Sequence, residues 1–264
     1  MNIPSSLFLS AVTVVAAGAL FVAALPAAEP ESSATSGKEL ANRMSTGLQD
    51  SALVRAKIEM RAPDGSKQVL QLQIKERRTA ASTDLLYQVQ WPKERKGETV
   101  ILHQDAGAAP RGTIISPTGS VRSLEASQMG DALLGTDLSY QDAIENFFAW
   151  KDQTITGSEV VNGVECQILE SKPGKPGVSI YSKVRSWIDS KRLVPLRIEK
   201  SSGAGHVLRR IDTTYVARDQ HDRFIPGKLI VRNPSKESIT EFDGARIEQA
   251  QFTDGDFAPE TAPK

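Results

Sequence analysis

Cysteine is nearly absent from this sequence, since Cys166 is the only one in 264 residues. A single cysteine cannot form a disulfide within the chain. Cys166 also lies far from the N-terminal apolar segment, where a lipid-attachment cysteine would stand. Its alternation with Val164 and Ile168 predicts a thiol buried on one face of a strand. Disulfides therefore give no information on the compartment of the protein.

Histidine is almost as scarce, which restricts the chemistry open to the protein. The three histidines are His103, His206 and His221, and no Gly-x-Ser-x-Gly nucleophile elbow occurs in the sequence. Asp219, His221 and Asp222 are the best candidates for metal ligands, but they lie at a polar hairpin tip without a nearby cysteine or second histidine. The sequence therefore predicts no catalytic residue, no metal site, no cofactor and no enzymatic activity.

Neither sign of charge is in excess. Lysine and arginine together number 32, and aspartate and glutamate together also number 32. The isoelectric point is near 6.9, and no long block of like charge interrupts the sequence. A protein that binds nucleic acid presents a basic surface to the phosphates. We therefore expect no nucleic-acid partner.

Long apolar runs are absent except at the N-terminus. The run from Leu7 to Leu25 is followed by a proline and two alanines, which predicts an export signal over residues 1–28. No lysine or arginine precedes Lys38, and the run is long for a signal peptide, so an uncleaved membrane anchor is the alternative. Both interpretations place the rest of the chain outside the cytoplasm.

The remaining sequence divides into a linker over residues 29–37, one domain over 38–258 and a short tail over 259–264. The domain begins with Leu40, Met44 and Leu48, whose spacing predicts one apolar stripe of a short helix. The apolar period then changes from four to two, starting at "LVRAKIEM". Turn sequences such as "APDGSK" and Asn162-Gly163 separate the alternating segments.

The number and spacing of these segments predict a mainly β fold. Roughly eleven strand candidates follow one another, mostly linked as hairpins, which is typical of one antiparallel sheet curled into a barrel or half-barrel. The alternation stops between Ala126 and Trp150, where the sequence reads as helix, loop, helix. We expect this insertion to cover the open face of the curled sheet.

Within the insertion, the stretch "LLGTDLSYQD" crowds potential catalytic groups together, yet its spacing is that of a helix start. Ser139 is placed to cap the first turn of a helix, and Asp142 follows at the third position. The aspartate also lies near the positive end of the helix. The sequence predicts that this helix carries Ile144, Phe147 and Phe148 towards the sheet.

Four stretches together resemble a known family. The chain is similar to the LolA-like outer-membrane lipoprotein-sorting proteins, in the branch with a Gly-Thr/Ser-Asp-x-Ser-Tyr-x-Asp motif. The resemblance implies an incomplete antiparallel half-barrel with covering helices, located in the periplasm, that carries acyl chains of lipids or lipoproteins. It covers most of the domain through the stretches "VQWPKERKGETVIL", "GTDLSYQD", "GVECQILESKP" with "YSKVRSWIDSKRLVPLRIE", and "IPGKLIVRN" with "ITEFDGARIEQAQFTDGDFAP".

One segment departs from the family pattern. Where relatives hold aromatic residues before a proline, this chain reads "RGTIISPTGSVRSLEAS", which keeps Pro117 and Arg122 but has no aromatic residue. The alternative function is therefore a regulatory or lipid-sensing module that docks an envelope or membrane protein partner and has a filled core.

If the protein is a carrier, its ligand is expected to contact the inward apolar positions of the strands and of the cover. A sheet wider than eight strands leaves space for such a ligand between its walls. The predicted lining residues are Val54, Ile58, Leu70, Leu72, Leu85, Val89, Val100 and Leu102 on the strands, and Leu133, Leu134, Phe147 and Phe148 on the cover.

Overall fold

The computed structural model describes residues 36–259, apart from 176, 178 and 220. The predicted signal peptide, nearly all of the linker and the last five residues lie outside the described part of the chain. Among the described residues, no helix is long and apolar enough to cross a membrane.

The described chain forms a single antiparallel sheet of thirteen strands, two more than the roughly eleven expected. The strands are β1 (Asp50–Arg61), β2 (Lys67–Arg78), β3 (Ser82–Trp91), β4 (Thr99–Asp105), β5 (Arg111–Ile115), β6 (Val121–Leu124), β7 (Asp152–Val161), β8 (Val164–Lys172), β9 (Lys183–Asp189), β10 (Val194–Ser201), β11 (Val207–Arg218), β12 (Phe224–Asn233) and β13 (Ser238–Gln249).

The first and last strands meet in the middle of the sheet. The spatial order is β6-β5-β4-β3-β2-β1-β13-β12-β11-β10-β9-β8-β7, and β1 pairs with β13 from Ala52–Gln249 to Arg61–Ile239. The two edge strands, β6 and β7, do not pair, so the sheet stays open rather than closing into a barrel. The predicted half-barrel is therefore confirmed.

Helix α1 (Gly37–Gly47) precedes the sheet and packs on one of its faces, called here the inner face. Ser36 caps the helix by accepting a hydrogen bond from the amide of Glu39. Leu40 and Met44 are buried as predicted, but Leu48 is 39% exposed because the helix has ended before it. The helix approaches β7 closely, since a Cβ on Gly37 would lie 2.6 Å from the carbonyl oxygen of Gln153.

The inner face carries two apolar clusters, and the outer face is covered separately. One inner cluster extends over strands β1 to β6, and the other joins α1 to strands β8, β9 and β10. On the outer face, Phe257 of the C-terminal segment packs on Leu86, Ile101 and Ile115. Cys166 is fully buried in β8, as the sequence predicted.

Candidate functional site

The covering segment, residues 125–151, connects the two edge strands across the inner face. It contains helix α2 (Tyr140–Ile144) and the 3₁₀ turns Ala126–Gln128, Leu133–Gly135 and Phe147–Ala149. Helix α2 packs against β3 and β4. The insertion therefore lies over the sheet as expected, although most of it consists of short turns.

Ser139 begins helix α2 with a reciprocal cap, as predicted. Its hydroxyl oxygen accepts the amide N–H of Asp142 at 3.0 Å, and the Asp142 carboxylate accepts the amide of Ser139 at 2.8 Å. The predicted extent of the helix was wrong, because Glu145 is extended (φ −77°, ψ 126°) and ends it at Ile144. Phe147 and Phe148 lie instead in the following 3₁₀ turn.

Asp142 is also the centre of a buried ion pair with the sheet. Its Oδ1 accepts hydrogen bonds from Lys200 Nζ on β10 and from the Tyr181 hydroxyl, both at 2.7 Å. Arg209 Nε on β11 lies 3.6 Å from the other carboxylate oxygen. Burial acts to raise the pKa of Asp142, but the Lys200 ammonium and the hydrogen bonds from Ser139 and Tyr181 together hold this pKa below its usual value. The carboxylate thus ties the covering segment to β10 and β11.

A second buried carboxylate, that of Glu145, lies next to this pair. It is 8% exposed and accepts hydrogen bonds from Gln141 Nε2 at 2.8 Å and from Ser179 Oγ at 3.0 Å. Burial raises the pKa of Glu145 above its usual value, and the Lys200 charge opposes this only in part. The Glu145 carboxyl group therefore keeps its proton to a higher pH than a carboxyl group in water.

Asp137 attaches the segment to the centre of the sheet. Its amide N–H donates to Thr240 Oγ1 at 2.9 Å, and its carboxylate accepts the Thr240 hydroxyl at 2.7 Å and the Ser238 hydroxyl. Both partners are on β13. The two aspartates of "GTDLSYQD" therefore bind the cover to two different parts of the sheet.

Further hydrogen bonds hold the backbone of the segment. Arg95 donates to the carbonyl of Leu134 at 3.1 Å, and Arg78 donates to the carbonyl of Ala143 at 2.9 Å. The side-chain amide of Gln153 (Nε2) donates to the carbonyls of Phe147, Phe148 and Trp150, at 3.0 to 3.2 Å. Leu134 holds φ 53°, a conformation that a leucine adopts only when its surroundings fix it. These contacts set the position of the cover on the sheet.

The sequence did not identify the partners of the two aspartates. Lys200 and Tyr181 are 58 and 39 residues from Asp142, and Thr240 is 103 residues from Asp137. The one available signal was the strand "VPLRIEKS", in which Lys200 alternates with Ile198 and so shares its inner face. A lysine on an apolar face requires a buried anion, but the pattern does not say which one.

The predicted lining residues fall into three groups. Phe147 and Phe148 pack with helix α1 in the second inner cluster. Val54 lies outside both inner clusters and is half-buried. The other nine are buried together between the sheet and the cover: Ile58, Leu70, Leu72, Leu85, Val89, Val100, Leu102, Leu133 and Leu134.

A half-buried apolar row borders this cluster. Strand register aligns Ile247, Val54, Ile74 and Tyr87 across β13, β1, β2 and β3. Ile74, Tyr87 and Phe242 pack against the buried cluster while keeping part of their surface accessible. Burial raises the pKa of the Tyr87 phenol, as expected for a hydroxyl in apolar surroundings. The inner face therefore has an apolar floor that the cover leaves partly open.

A cleft of about 330 Å³ opens at one end of the inner face. It lies between the end of α1, the β2–β3 and β4–β5 turns and the end of the covering segment. Asn146 donates from Nδ2 to Ser45 Oγ at 2.8 Å, while its buried Oδ1 has no hydrogen-bond partner among the described residues. The lining includes Ser45, Leu48, Arg78, Ala80, Ala81, Ala106, Gly107, Ala108, Glu145, Asn146, Ala149 and Trp150.

Residues considered for metal binding or for catalysis are engaged in local contacts. The Asp219 carboxylate accepts a hydrogen bond from the Arg223 guanidinium at 2.6 Å and further hydrogen bonds from backbone amides of its own turn. His103 Nδ1 lies 2.6 Å from the Asp84 carboxylate on the outer face. Within the part of the chain that the structure describes, no group of three or more His, Cys, Asp or Glu side chains is arranged to hold a metal ion.

Comparison with known sequences gives the family. A protein-family model with the description "Uncharacterized protein" matches residues 82–261, more than half of the chain. The chain belongs to this family. The matched region begins at the first residue of β3 and includes the covering segment and all later strands. No curated protein matches the chain.

Solved structures share the fold. A DUF1329 family protein from Desulfovibrio piger superimposes with a TM-score of 0.79 at 18% identity, over 86% of this chain and 98% of its own. A putative outer membrane lipoprotein-sorting protein domain from Vibrio parahaemolyticus gives 0.78 at 16%, over 86% and 97%. A LolA superfamily protein from Nitrosomonas europaea gives 0.69 at 16%, over 85% and 98%. The chain therefore has the LolA-like fold that the resemblance predicted.

Proposed function

We propose that this protein binds and carries a hydrophobic ligand, the acyl chain of a lipid or lipoprotein, through the periplasm. The observation that carries the proposal is an apolar inner face whose cover is attached through side chains, chiefly Asp137 and Asp142. Contacts of this kind can be broken and remade without dismantling the strand ladder. The LolA-like fold and the lipoprotein-sorting relative from Vibrio parahaemolyticus support the same function.

The energetic reason for a carrier is the cost of exposing an acyl chain to water. At about 0.8 kcal/mol per methylene, a chain of about sixteen carbons costs on the order of 12 kcal/mol to hydrate. The row Ile247, Val54, Ile74 and Tyr87 provides apolar surface next to the cover, and the buried cluster beneath the cover extends it. Movement of the covering segment would join the two surfaces.

A second candidate function is a module that docks an envelope protein and keeps its core filled. It is favoured by the nine predicted lining residues that pack against one another at 4% exposure or less. It is favoured also by the volume of the cleft, about 330 Å³, which is small among sites for organic ligands.

Titration of delipidated protein with a fluorescent fatty acid tests the first function. We expect saturable binding by the unaltered protein and a loss of about tenfold or more in affinity for Val54→Trp, because the larger side chain occupies the half-open floor. Val160→Trp is the matched control, since Val160 is 64% exposed on edge strand β7.

Absence of saturable binding by the unaltered protein would contradict the carrier function, as would equal binding by both tryptophan variants. Native mass spectrometry of protein isolated from its own envelope separates the two candidates. A bound lipid mass supports the carrier. A cross-linked protein complex without lipid supports the docking module.

A further inference from the structure

Two cations on the inner face lie beneath the covering segment and share one carboxylate. Lys200 is on β10, and strand register places Arg209 of β11 opposite it. Within the described residues, the ion pair that each of them forms is with Asp142. Glu145 lies nearby, but it accepts its hydrogen bonds from neutral side chains. One carboxylate is therefore the paired anion of two buried cations.

The Asp142 carboxylate has no acceptor position left for Arg209. Lys200 Nζ and the Tyr181 hydroxyl both donate to its Oδ1 at 2.7 Å, and the amide and hydroxyl of Ser139 both donate to its Oδ2 at 2.8 Å. A carboxylate offers about four acceptor positions, so these donors fill them. Arg209 Nε lies 3.6 Å from Oδ2, which is beyond hydrogen-bond length. The contact of Arg209 with Asp142 is therefore electrostatic only.

Arg209 consequently keeps hydrogen-bonding capacity that the chain does not use. One Nη donates to the carbonyl of Leu208 at 2.8 Å, and the buried Nε has no hydrogen-bond partner among the described residues. Most buried donors in proteins are hydrogen-bonded, because an unpaired donor has lost its bonds to water. Arg209 is also the more accessible of the two cations, since its side chain is 12% exposed and that of Lys200 is 2% exposed. An anion from outside the chain would satisfy Arg209.

The inner face provides apolar surface between Arg209 and the buried cluster. Ile211 follows Arg209 on the same face of β11, as the register with β10 shows. Register also places Leu229 beside Phe242, and Phe242 packs against the buried cluster. Ile211, Leu229 and Phe242 are all half-buried, so part of each side chain is accessible. A ligand whose head lies at Arg209 therefore has an apolar path towards the cluster.

We propose that the acyl ligand carries an anionic head, a carboxylate or a phosphate, and that Arg209 binds this head. The site rests on the proposed carrier function and adds the chemistry of the head to it. A guanidinium donates two parallel hydrogen bonds to a carboxylate or a phosphate, which an ammonium does not. With an anionic head in place, Arg209 and Lys200 each have an anion of their own. A neutral head, such as an alcohol, leaves the charge of Arg209 unmatched.

Competition against a fluorescent fatty acid on delipidated, unaltered protein tests the head at neutral pH. The competitors are a saturated fatty acid, the alkyl phosphate of equal chain length and the alcohol of equal chain length. We expect the acid or the phosphate to bind about tenfold or more tightly than the alcohol, because an anionic head gains charge-assisted hydrogen bonds. The ratio between the acid and the phosphate distinguishes a fatty acid from a phospholipid as the source.

Acetate and inorganic phosphate are the controls for the acyl chain. They carry the same anionic groups, and we expect neither to compete at the concentrations at which the acid and the alkyl phosphate do. Competition by these free anions at those concentrations would overturn the proposal, since the site would then take an anion rather than the head of a lipid.

Substitution of Arg209 shows whether it is the cation that binds the head. In Arg209→Gln the ratio of acid affinity to alcohol affinity should fall to about one, and Arg209→Lys should keep part of it because the charge remains. Arg210→Gln is the matched control, because Arg210 is the next residue of β11 but donates to Asp212. It should keep the full ratio. A general loosening of the cover affects both ligands alike and leaves the ratio unchanged, and a thermal melt of each variant confirms that it is folded.

Failure of the anionic head and failure of the carrier function give different results. If the acid, the phosphate and the alcohol bind the unaltered protein equally, the anionic head is wrong and the carrier function stands. If none of them binds saturably, both are wrong. A preference for the acid that persists in Arg209→Gln also overturns the proposal, because another cation then binds the head. The comparison on the unaltered protein needs no variant, so it decides even if Arg209→Gln does not fold.

Discussion

Among single residues, Lys200 has the least ordinary environment in the described structure. Its side chain is 2% exposed, pairs with Asp142 and lies 5.3 Å from the Phe147 ring and 5.1 Å from the Tyr181 ring. Charges are removed from water only at a large cost, which the partner and the ring faces offset here. The ion pair therefore fixes one relative position of cover and sheet more than it adds net stability.

Removal of the Lys200 cation alone should destabilise the folded protein strongly. Lys200→Met leaves the Asp142 carboxylate buried without its main partner, so we expect a loss of about 3 kcal/mol in the free energy of unfolding. Asp142→Asn combined with Lys200→Met should recover a large part of it, because no unpaired charge remains. Urea unfolding measures both. A loss below about 1 kcal/mol for Lys200→Met, the size of an exposed pair, would contradict this interpretation.

Glu145 makes stability depend on pH in the opposite sense to Asp142. Its pKa is raised in the folded state above the usual 4.5, so the folded protein retains a proton that the unfolded chain releases. This contribution is fully present below the unfolded pKa and is lost as the pH rises through the folded pKa. The pKa of Asp142 is lowered below 3.8, so its contribution changes only at acid pH.

Urea unfolding from about pH 5 upward therefore separates the effect of Glu145 from that of Asp142. Stability should fall with rising pH in the unaltered protein, and Glu145→Gln, which cannot ionise, should flatten the curve. The matched control is Glu94→Gln, because Glu94 is exposed at the β3–β4 turn. A Glu145→Gln curve that parallels the unaltered one would show that another group causes the slope.

At the scale of elements, helix α2 has five residues, which is too short to be stable alone. Its position on the sheet depends on the cap at Ser139 and on the contacts that Asp137 and Asp142 make with the strands. Ser139→Ala removes the hydroxyl that accepts the Asp142 amide, and we expect it to cost about 1 kcal/mol of stability and to loosen the cover.

Thermal unfolding measures that loss, and hydrogen exchange of the covering segment measures the loosening. Ser123→Ala is a suitable control, because Ser123 is exposed on β6 and its loss should change stability by less than about 0.5 kcal/mol. If Ser139→Ala behaved like Ser123→Ala, the cap would contribute nothing to the position of the cover.

At the scale of the whole molecule, the parts of the fold that could be predicted are those set by neighbours in sequence. Apolar alternation and turn residues predicted the hairpins, and the spacing of Ser139 and Asp142 predicted the cap. The β1–β13 pairing and the Asp142–Lys200 ion pair could not be predicted, because nothing local distinguishes those partners from others of the same kind. Similarly, Val54 and Ile58 occupy equivalent positions in the apolar alternation of β1. The cover extends over Ile58, which is buried, but not over Val54, which is half-buried, and the sequence does not show where the cover ends.

The meeting of the first and last strands also has a consequence for the order of events in folding. Strands β1 to β6 can form a meander as soon as they are available, and strands β7 to β13 can form another. The contact that unites them, Ala52 with Gln249, spans almost the entire domain and becomes available only when the last strand has emerged. Such long-range closure is slow. We therefore expect the two halves to form first and the pairing of β1 with β13 to unite them into one sheet last.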